Sequence, residues 1–184
     1  KQFEAVFINM VMKSMRADLF KSEYQSIEEY EDYIYGSADV VGLMCLKVFV
    51  QGDQNKYDEL KGPAMKLGSA FQKVNFLRDI KDDTEDLHRS YFPHIQGGVI
   101  DNVAKEQIID EINKDFQDAY EGILQLPIEA KFGVYTAFIY YRKLLRKLTK
   151  TKASEINEKR IRISNPMKMF LLTKSFVNYK LNLL

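Results

Sequence analysis

The chain of 184 residues has no tryptophan, one cysteine, two histidines, four prolines and nine glycines. A single thiol, Cys45, makes neither an intramolecular disulfide nor a thiolate metal site, which points to a reducing, cytoplasmic setting and excludes zinc-ribbon and dithiol redox chemistry. Long hydrophobic runs are also missing. The longest, around Phe132 to Tyr141, falls far short of the roughly 18 to 20 residues needed to cross a bilayer. An apolar signal core and a small-residue cleavage site are absent too, and the chain opens on Lys1 rather than Met. An internal or trimmed piece of a longer polypeptide is therefore expected, not a secreted protein.

Net charge is almost absent, at +1, yet its distribution is not. From Arg142 to Leu184 there are 12 Lys and Arg against 2 Asp and Glu, a net of +10, so residues 1–141 carry −9. Such sorting points to an anionic partner. Cations at the end of a helix near Lys143, Arg146, Lys147, Lys150 and Lys152 are also what the helix dipole favours in any protein. Peripheral contact with an anionic membrane is a second reading. Nucleic acid is not expected, since the basic residues carry no groove-reading motif and no interleaved stacking aromatics.

The scarcity of proline and glycine, the lack of hairpin dipeptides and a recurring three-to-four spacing of apolar residues predict an all-α chain forming one domain over 1–184. Ser26-Ile27-Glu28-Glu29 fits a capping box and predicts a helix over about 27–51. A second is expected over about 56–86, bent at Gly62-Pro63. Residues 88–102, with Pro93 and Gly97-Gly98, read as loop. Helix resumes near Lys105, and Pro127, preset in dihedral, is expected at the first position of a helix reaching about Thr149. A polar linker, a break at Asn165-Pro166 and a final helix anchored by Phe170, Leu171, Phe176, Val177 and Leu181 complete the chain.

Gln72, Asn75, Asp79 and Asp83 fall within an arc of about 80° on a helical wheel, flanked by Asp82 and Asp86. A solvated face is the commonplace explanation of a polar stripe. Such faces are usually written in Lys and Glu at supporting spacings, whereas this one holds two amides followed by carboxylates that repel one another. Two carboxylates one turn apart suit a hard cation placed between them and a phosphate, since magnesium accepts one or two carboxylates with phosphate and water oxygens. In Tyr33-Ile34-Tyr35-Gly36-Ser37-Ala38, three small residues sit inside a helix, where glycine costs about 1 kcal/mol. Tight helix packing and a thinned cavity wall with nearby tyrosine faces both explain them.

Tyr33-Ile34-Tyr35-Gly36-Ser37-Ala38 with Val41-Gly42 resembles a Tyr-x-Tyr-x-Val-Ala-Gly-x-Val-Gly segment of the squalene/phytoene synthases. Gly68 to Asp83, written GSAFQKVNFLRDIKDD, resembles their second aspartate-rich block, and Arg89-Ser90-Tyr91-Phe92-Pro93 resembles the R-x-Y-L-P that follows. Ser37 stands where that family has Val and Asp39 where it has Gly, and one extra residue separates Asp83 from Arg89. The family's first aspartate-rich motif has no counterpart here.

The resemblance implies an isoprenoid synthase helical bundle around a central cavity, with its N-terminal helices missing, so that 1–184 is the C-terminal part of such a domain. It implies a prenyltransferase joining two prenyl diphosphates head to head, geranylgeranyl diphosphate to phytoene through a cyclopropyl diphosphate. Squalene or dehydrosqualene formation from farnesyl diphosphate is the alternative, and so is a non-catalytic helical scaffold. It implies Mg2+, or Mn2+, on Asp79 and Asp83, with NADPH needed only if squalene is formed. Tyr35, Gln72 and Asn75 become catalytic candidates beside the two aspartates, and Arg78, Arg89, Tyr91 and Tyr141 substrate-binding candidates. A chain lacking the first motif is expected to be inactive alone. His88, His94 and Cys45 are read as structural.

Overall fold

The computed structural model describes residues 2–93, 95 and 98–181. His94 and Gly97 therefore lie outside the described residues. The elements in chain order are α1 (Gln2–Ala17), α2 (Ile27–Ile34), a π-helical turn (Tyr35–Asp39), α3 (Val40–Phe49), α4 (Gln54–Glu85), α5 (Asn102–Gln125), α6 (Ile128–Lys150), α7 (Ala153–Glu158) and α8 (Asn165–Lys180). Among the described residues the only β pairing is an isolated bridge between Glu23 and Ser90. None of these helices is long and apolar enough to cross a membrane.

Side-chain caps fix the starts of α2, α4 and α5. The Ser26 hydroxyl accepts from the Glu29 amide at 3.2 Å, and the Glu29 carboxylate accepts from the Gln25 amide at 3.0 Å, one residue before the cap. Asp53 accepts from the Lys56 amide at 3.0 Å and starts α4. Asp101 does the same for the Ala104 amide at 2.8 Å, so α5 begins at Asn102, earlier than Lys105. Each such cap satisfies an amide the first turn leaves free, typically worth about 1 kcal/mol.

Several expectations are corrected. Residues 27–49 are two α-helices joined by the π turn, and the chain leaves helix at Val50. α4 starts at Gln54, two residues earlier than expected, and includes Pro63. Pro127 caps α6 from just outside it, one place before the expected position. The polar linker contains α7, whose Ala153 and Ile156 are buried. There Asn157 bonds both the amide and the carbonyl of Ile100, at 3.1 and 2.9 Å, an anchor invisible to periodicity. Asn165 and Pro166 start α8, since the missing proline amide is not needed in a first turn.

α4 is the axis of the fold. Its buried Val74, Leu77 and Ile80 meet Ile108, Ile112 and Phe116 of α5, Leu144 and Leu148 of α6, and Ile156 of α7 in one core. Its N-terminal half places Tyr57 and Leu60 in a second core with Phe7 of α1 and Val40, Leu43 and Leu46 of α3. A β-carbon on Gly68 of α4 would lie 2.6 Å from the Ala38 carbonyl oxygen, and one on Gly36 would strike the Ser14 side chain of α1. The helix-packing explanation of the small residues holds at these glycines.

Candidate active site

The π turn and the middle of α4 form one wall of a cavity of about 590 Å³, within the about 300 to 1,000 Å³ of ordinary ligand sites. Ser37, Ala38 and Gly42 line it from one side, Gly68, Phe71 and Gln72 from α4, Gly122 and Ile123 from α5, and Ala130, Gly133 and Val134 from α6. Of the three small residues, Ser37 and Ala38 thus stand on the cavity wall, as the thinned-wall reading expects. The Ser37 hydroxyl is buried and makes no hydrogen bond, and Cys45, an exposed free thiol, also lines the cavity.

From Gln72 the polar stripe runs on along α4. Asn75 accepts a hydrogen bond at 3.2 Å from the hydroxyl of Tyr141, whose ring stacks on Phe71 with centroids 4.1 Å apart. One turn later Asp79 takes both arms of Arg78, at 2.8 and 2.5 Å. Arg160, from the stretch between α7 and α8, closes on the same carboxylate with its Nε at 2.7 Å and reaches Asp82 at 3.6 Å. Burial, and next the Asp79 charge, push the Asp83 carboxyl up to about 6, with Arg89 opposing. The pairing with Asp79 raises the Arg78 guanidinium further.

Among the described residues no group of three or more His, Cys, Asp or Glu side chains converges as a metal cage. The carboxylate donors left on the polar stripe of α4 are Asp79 and Asp83, one helical turn apart, and magnesium is commonly held by one or two carboxylates together with phosphate and water oxygens. The raised Asp83 carboxyl marks a place where added positive charge is favourable. The residues fit such an ion provided Arg78 and Arg160 share or release Asp79.

Arg89 is held by protein partners from the chain's N-terminal part and from its own segment. It is hydrogen-bonded to the Asp18 carbonyl, lies 3.8 Å from the Asp18 carboxylate and bonds the Tyr91 hydroxyl at 3.4 Å. Asp18 also accepts from the Tyr33 hydroxyl at 2.9 Å. Tyr91 stacks on Phe76, centroids 4.0 Å apart, inside an aromatic group with Tyr24 and Tyr33. The structure thus makes Tyr91 a core residue. Tyr35 packs, half-buried, against the second core and is not among the cavity-lining residues. Tyr33 is the tyrosine brought to Asp18, because two residues along a helix turn by about 200°.

Behind the cavity wall, Lys73 pairs with Asp115 at 2.6 Å and Glu111 at 2.5 Å, and Lys66 reaches Asp115 at 2.9 Å. Beside them Asp39 accepts a hydrogen bond from the Ser69 hydroxyl at 2.6 Å. Burial pushes the Asp39 carboxyl up to about 6 against the pull of Ser69 and Lys73. Sequence reasoning missed this group, Asp18 and Arg160, since partners such as Ser69 for Asp39 and Asp79 for Arg160 lie 30 and 81 residues away.

The family model of squalene/phytoene synthase matches residues 2–95, which spans the π turn, the stripe and the Arg89 segment. The chain belongs to the squalene/phytoene synthase family. It is 28% identical to phytoene synthase 2, chloroplastic, of Solanum lycopersicum, covering 88% of this chain and 57% of that protein. It is 30% identical to 15-cis-phytoene synthase of Synechocystis sp., covering 88% of this chain and 54% of that one. The chain thus spans about half the length of these relatives. Among solved structures it resembles a dehydrosqualene synthase in complex with ligand, at a TM-score of 0.73 and 19% identity over 95% of this chain and 65% of that one. It also resembles squalene synthase HpnC from Alicyclobacillus acidocaldarius, at 0.66 and 18% over 84% and 61%. The isoprenoid synthase helical fold expected of a squalene/phytoene synthase is the fold observed.

Proposed function

We propose that this chain supplies the diphosphate-handling helix and the hydrocarbon cavity of an enzyme that condenses two prenyl diphosphates head to head. The substrate is geranylgeranyl diphosphate and the product the carotenoid precursor phytoene, by way of a cyclopropyl diphosphate. One observation carries the reading: a single helix, α4, lines an apolar cavity at Gly68, Phe71 and Gln72 and, two turns or about 10 Å further on, presents Asp79 and Asp83. A molecule with a long apolar tail and a doubly charged head matches both ends.

Asp79 and Asp83 would hold magnesium, which when bound would supply charge neutralisation to the departing diphosphate. Arg78 and Arg160 already stand at Asp79, and their planar forks suit phosphate oxygens. Gln72 lines the cavity, and the Tyr141 hydroxyl donates to the amide oxygen of Asn75. The apolar walls keep water from a reacting cation. No reductant is needed for phytoene; a squalene-forming reaction from farnesyl diphosphate would draw on NADPH.

One observation favours a non-catalytic scaffold, namely that Arg78 and Arg160 both pair with Asp79. Calorimetry with non-ionising thiodiphosphate analogues separates the readings. Magnesium-dependent binding, tighter for the geranylgeranyl than the farnesyl analogue, is expected. Binding indifferent to magnesium would favour the scaffold. Turnover is expected to need a second carboxylate-rich segment of the kind these 184 residues lack, so the chain alone binds without releasing diphosphate. Incubation with each labelled substrate and magnesium, with and without NADPH, tests that, and hydrocarbon formed by the chain alone would refute it.

A further inference from the structure

In the π turn the Val40 amide bonds the Tyr35 carbonyl five residues back, a wider closure than that of an α-helix and one that recurs beside functional sites. Ser37 and Ala38 at its centre line the cavity, so the place of the turn sets the width of the cavity opposite Gly68 and Phe71 of α4. Two contacts hold the turn there. The Ala38 carbonyl oxygen lies so near α4 that a β-carbon on Gly68 would come within 2.6 Å of it. Next to it, the Asp39 carboxylate accepts from the Ser69 hydroxyl at 2.6 Å, both residues being buried. Asp39 stands where the squalene/phytoene synthases have Gly, so this second contact is a feature of this chain rather than of its family.

The cations near Asp39 are engaged with other carboxylates. Lys73 of α4 pairs with Asp115 and Glu111 of α5 at 2.6 and 2.5 Å, and Lys66 of α4 with Asp115 at 2.9 Å. Both lysines attract Asp39 only from beyond these pairs, and Asp115 repels it. From α2 the Tyr30 phenol lies within reach of the Glu111 and Asp115 charges and, raised by burial, stays neutral. α1 meets the turn at Gly36 through Ser14 and Met10, while its Lys13 pairs at the surface with Asp32 of α2. Lys47 of α3 bonds Gln54, also at the surface. An ionised Asp39 thus rests on one hydroxyl's hydrogen bond, which does not repay the burial of a charge, and it regains water only when the turn lifts from α4. We infer that Asp39 is a positioning residue: its bond to Ser69 clasps the π turn onto α4 when the carboxyl is protonated and lets it lift when the carboxyl ionises, so that the shape of the cavity follows pH. Burial has pushed this carboxyl up to about 6, so the change falls in an ordinary pH range.

The test is hydrogen exchange read by mass spectrometry over residues 36–40, on the chain and on Asp39→Asn, at pH 5 and pH 8. Comparing the two proteins at one pH removes the intrinsic pH dependence of exchange. At pH 8 Asp39→Asn, which still accepts from Ser69 and has no charge to hydrate, should protect the turn about tenfold better than the parent does. At pH 5 the two should match. Ser69→Ala should loosen the turn at both pH values. Binding of the neutral apolar dye N-phenylnaphthylamine should be about three- to tenfold tighter at pH 5 than at pH 8 for the parent and pH-independent for Asp39→Asn, because the dye selects the clasped cavity. Equal protection of the turn at pH 8 would overturn the inference. So would a gain spread evenly over α5 and α6, which marks a burial penalty on the whole fold rather than a clasp. Dye binding by the parent that does not weaken between pH 5 and pH 8 would overturn the link to the cavity. No readout involves magnesium, diphosphate or turnover, so the outcome is independent of the proposed reaction.

Discussion

Arg160 and Asp79 are 81 residues apart in sequence and form a two-pronged pair, Nε to Oδ1 at 2.7 Å and the terminal nitrogen to Oδ2 at 3.3 Å. Arg78 holds the other approach to the same carboxylate. The acidic body and the basic end of the chain therefore meet at the carboxylate proposed to receive a metal, and a cation arriving there competes with a built-in counter-ion.

Replacing the competitor should expose the site. Arg160, about one-third exposed, forms a partly screened pair of about 0.5 to 1 kcal/mol. Arg160→Gln is expected to raise magnesium affinity of the free protein by about two- to fivefold and to weaken binding of the thiodiphosphate analogue. Calorimetry with each ligand measures both, and unchanged magnesium affinity would show that Arg160 does not guard Asp79.

The carboxylates should be separable from the fold. Asp79→Asn and Asp83→Asn are each expected to weaken magnesium-dependent analogue binding by about 100-fold, as for loss of several kcal/mol of charge stabilisation. Helicity by circular dichroism should stay at the parent value. Equal binding by either variant would remove that carboxylate from the site.

Asp39 makes stability depend on pH. Its folded carboxyl sits near 6 against 3.8 in the open chain, so the folded state holds the proton more tightly. The resulting stabilisation is complete below about pH 4 and is lost as pH rises through 6. Asp39→Asn, which still accepts from Ser69, is expected to add about 1 to 3 kcal/mol at pH 7 and nothing near pH 4. Urea unfolding of both proteins across that window gives the difference directly, and a pH-independent difference would contradict the burial penalty.

Two glycines should respond in opposite directions. Gly68→Ala places a methyl group 2.6 Å from the Ala38 carbonyl oxygen and is expected to cost about 1 to 3 kcal/mol by overpacking. At Gly133 of α6 a β-carbon would meet nothing within 4 Å, so Gly133→Ala should gain about 0.5 to 1 kcal/mol of helix propensity. Thermal unfolding distinguishes them, and a neutral Gly68→Ala would mean that α4 and the π turn slide apart freely.

The sequence by itself determined what depends on near neighbours. Helical spacing, the Ser26 cap and the placement of Gln72, Asn75, Asp79 and Asp83 on one face follow from contacts within four residues, and the ordered motifs that mark the family are written along the chain. Tertiary structure alone decided what depends on distant ones. Tyr33 rather than Tyr35 meets Asp18, Arg89 turns to Asp18, Asn157 of α7 anchors what reads as a polar linker to Ile100, and Arg160 closes on Asp79. Each joins side chains from elements far apart in the chain, and no local pattern encodes which face of one helix will be laid against another.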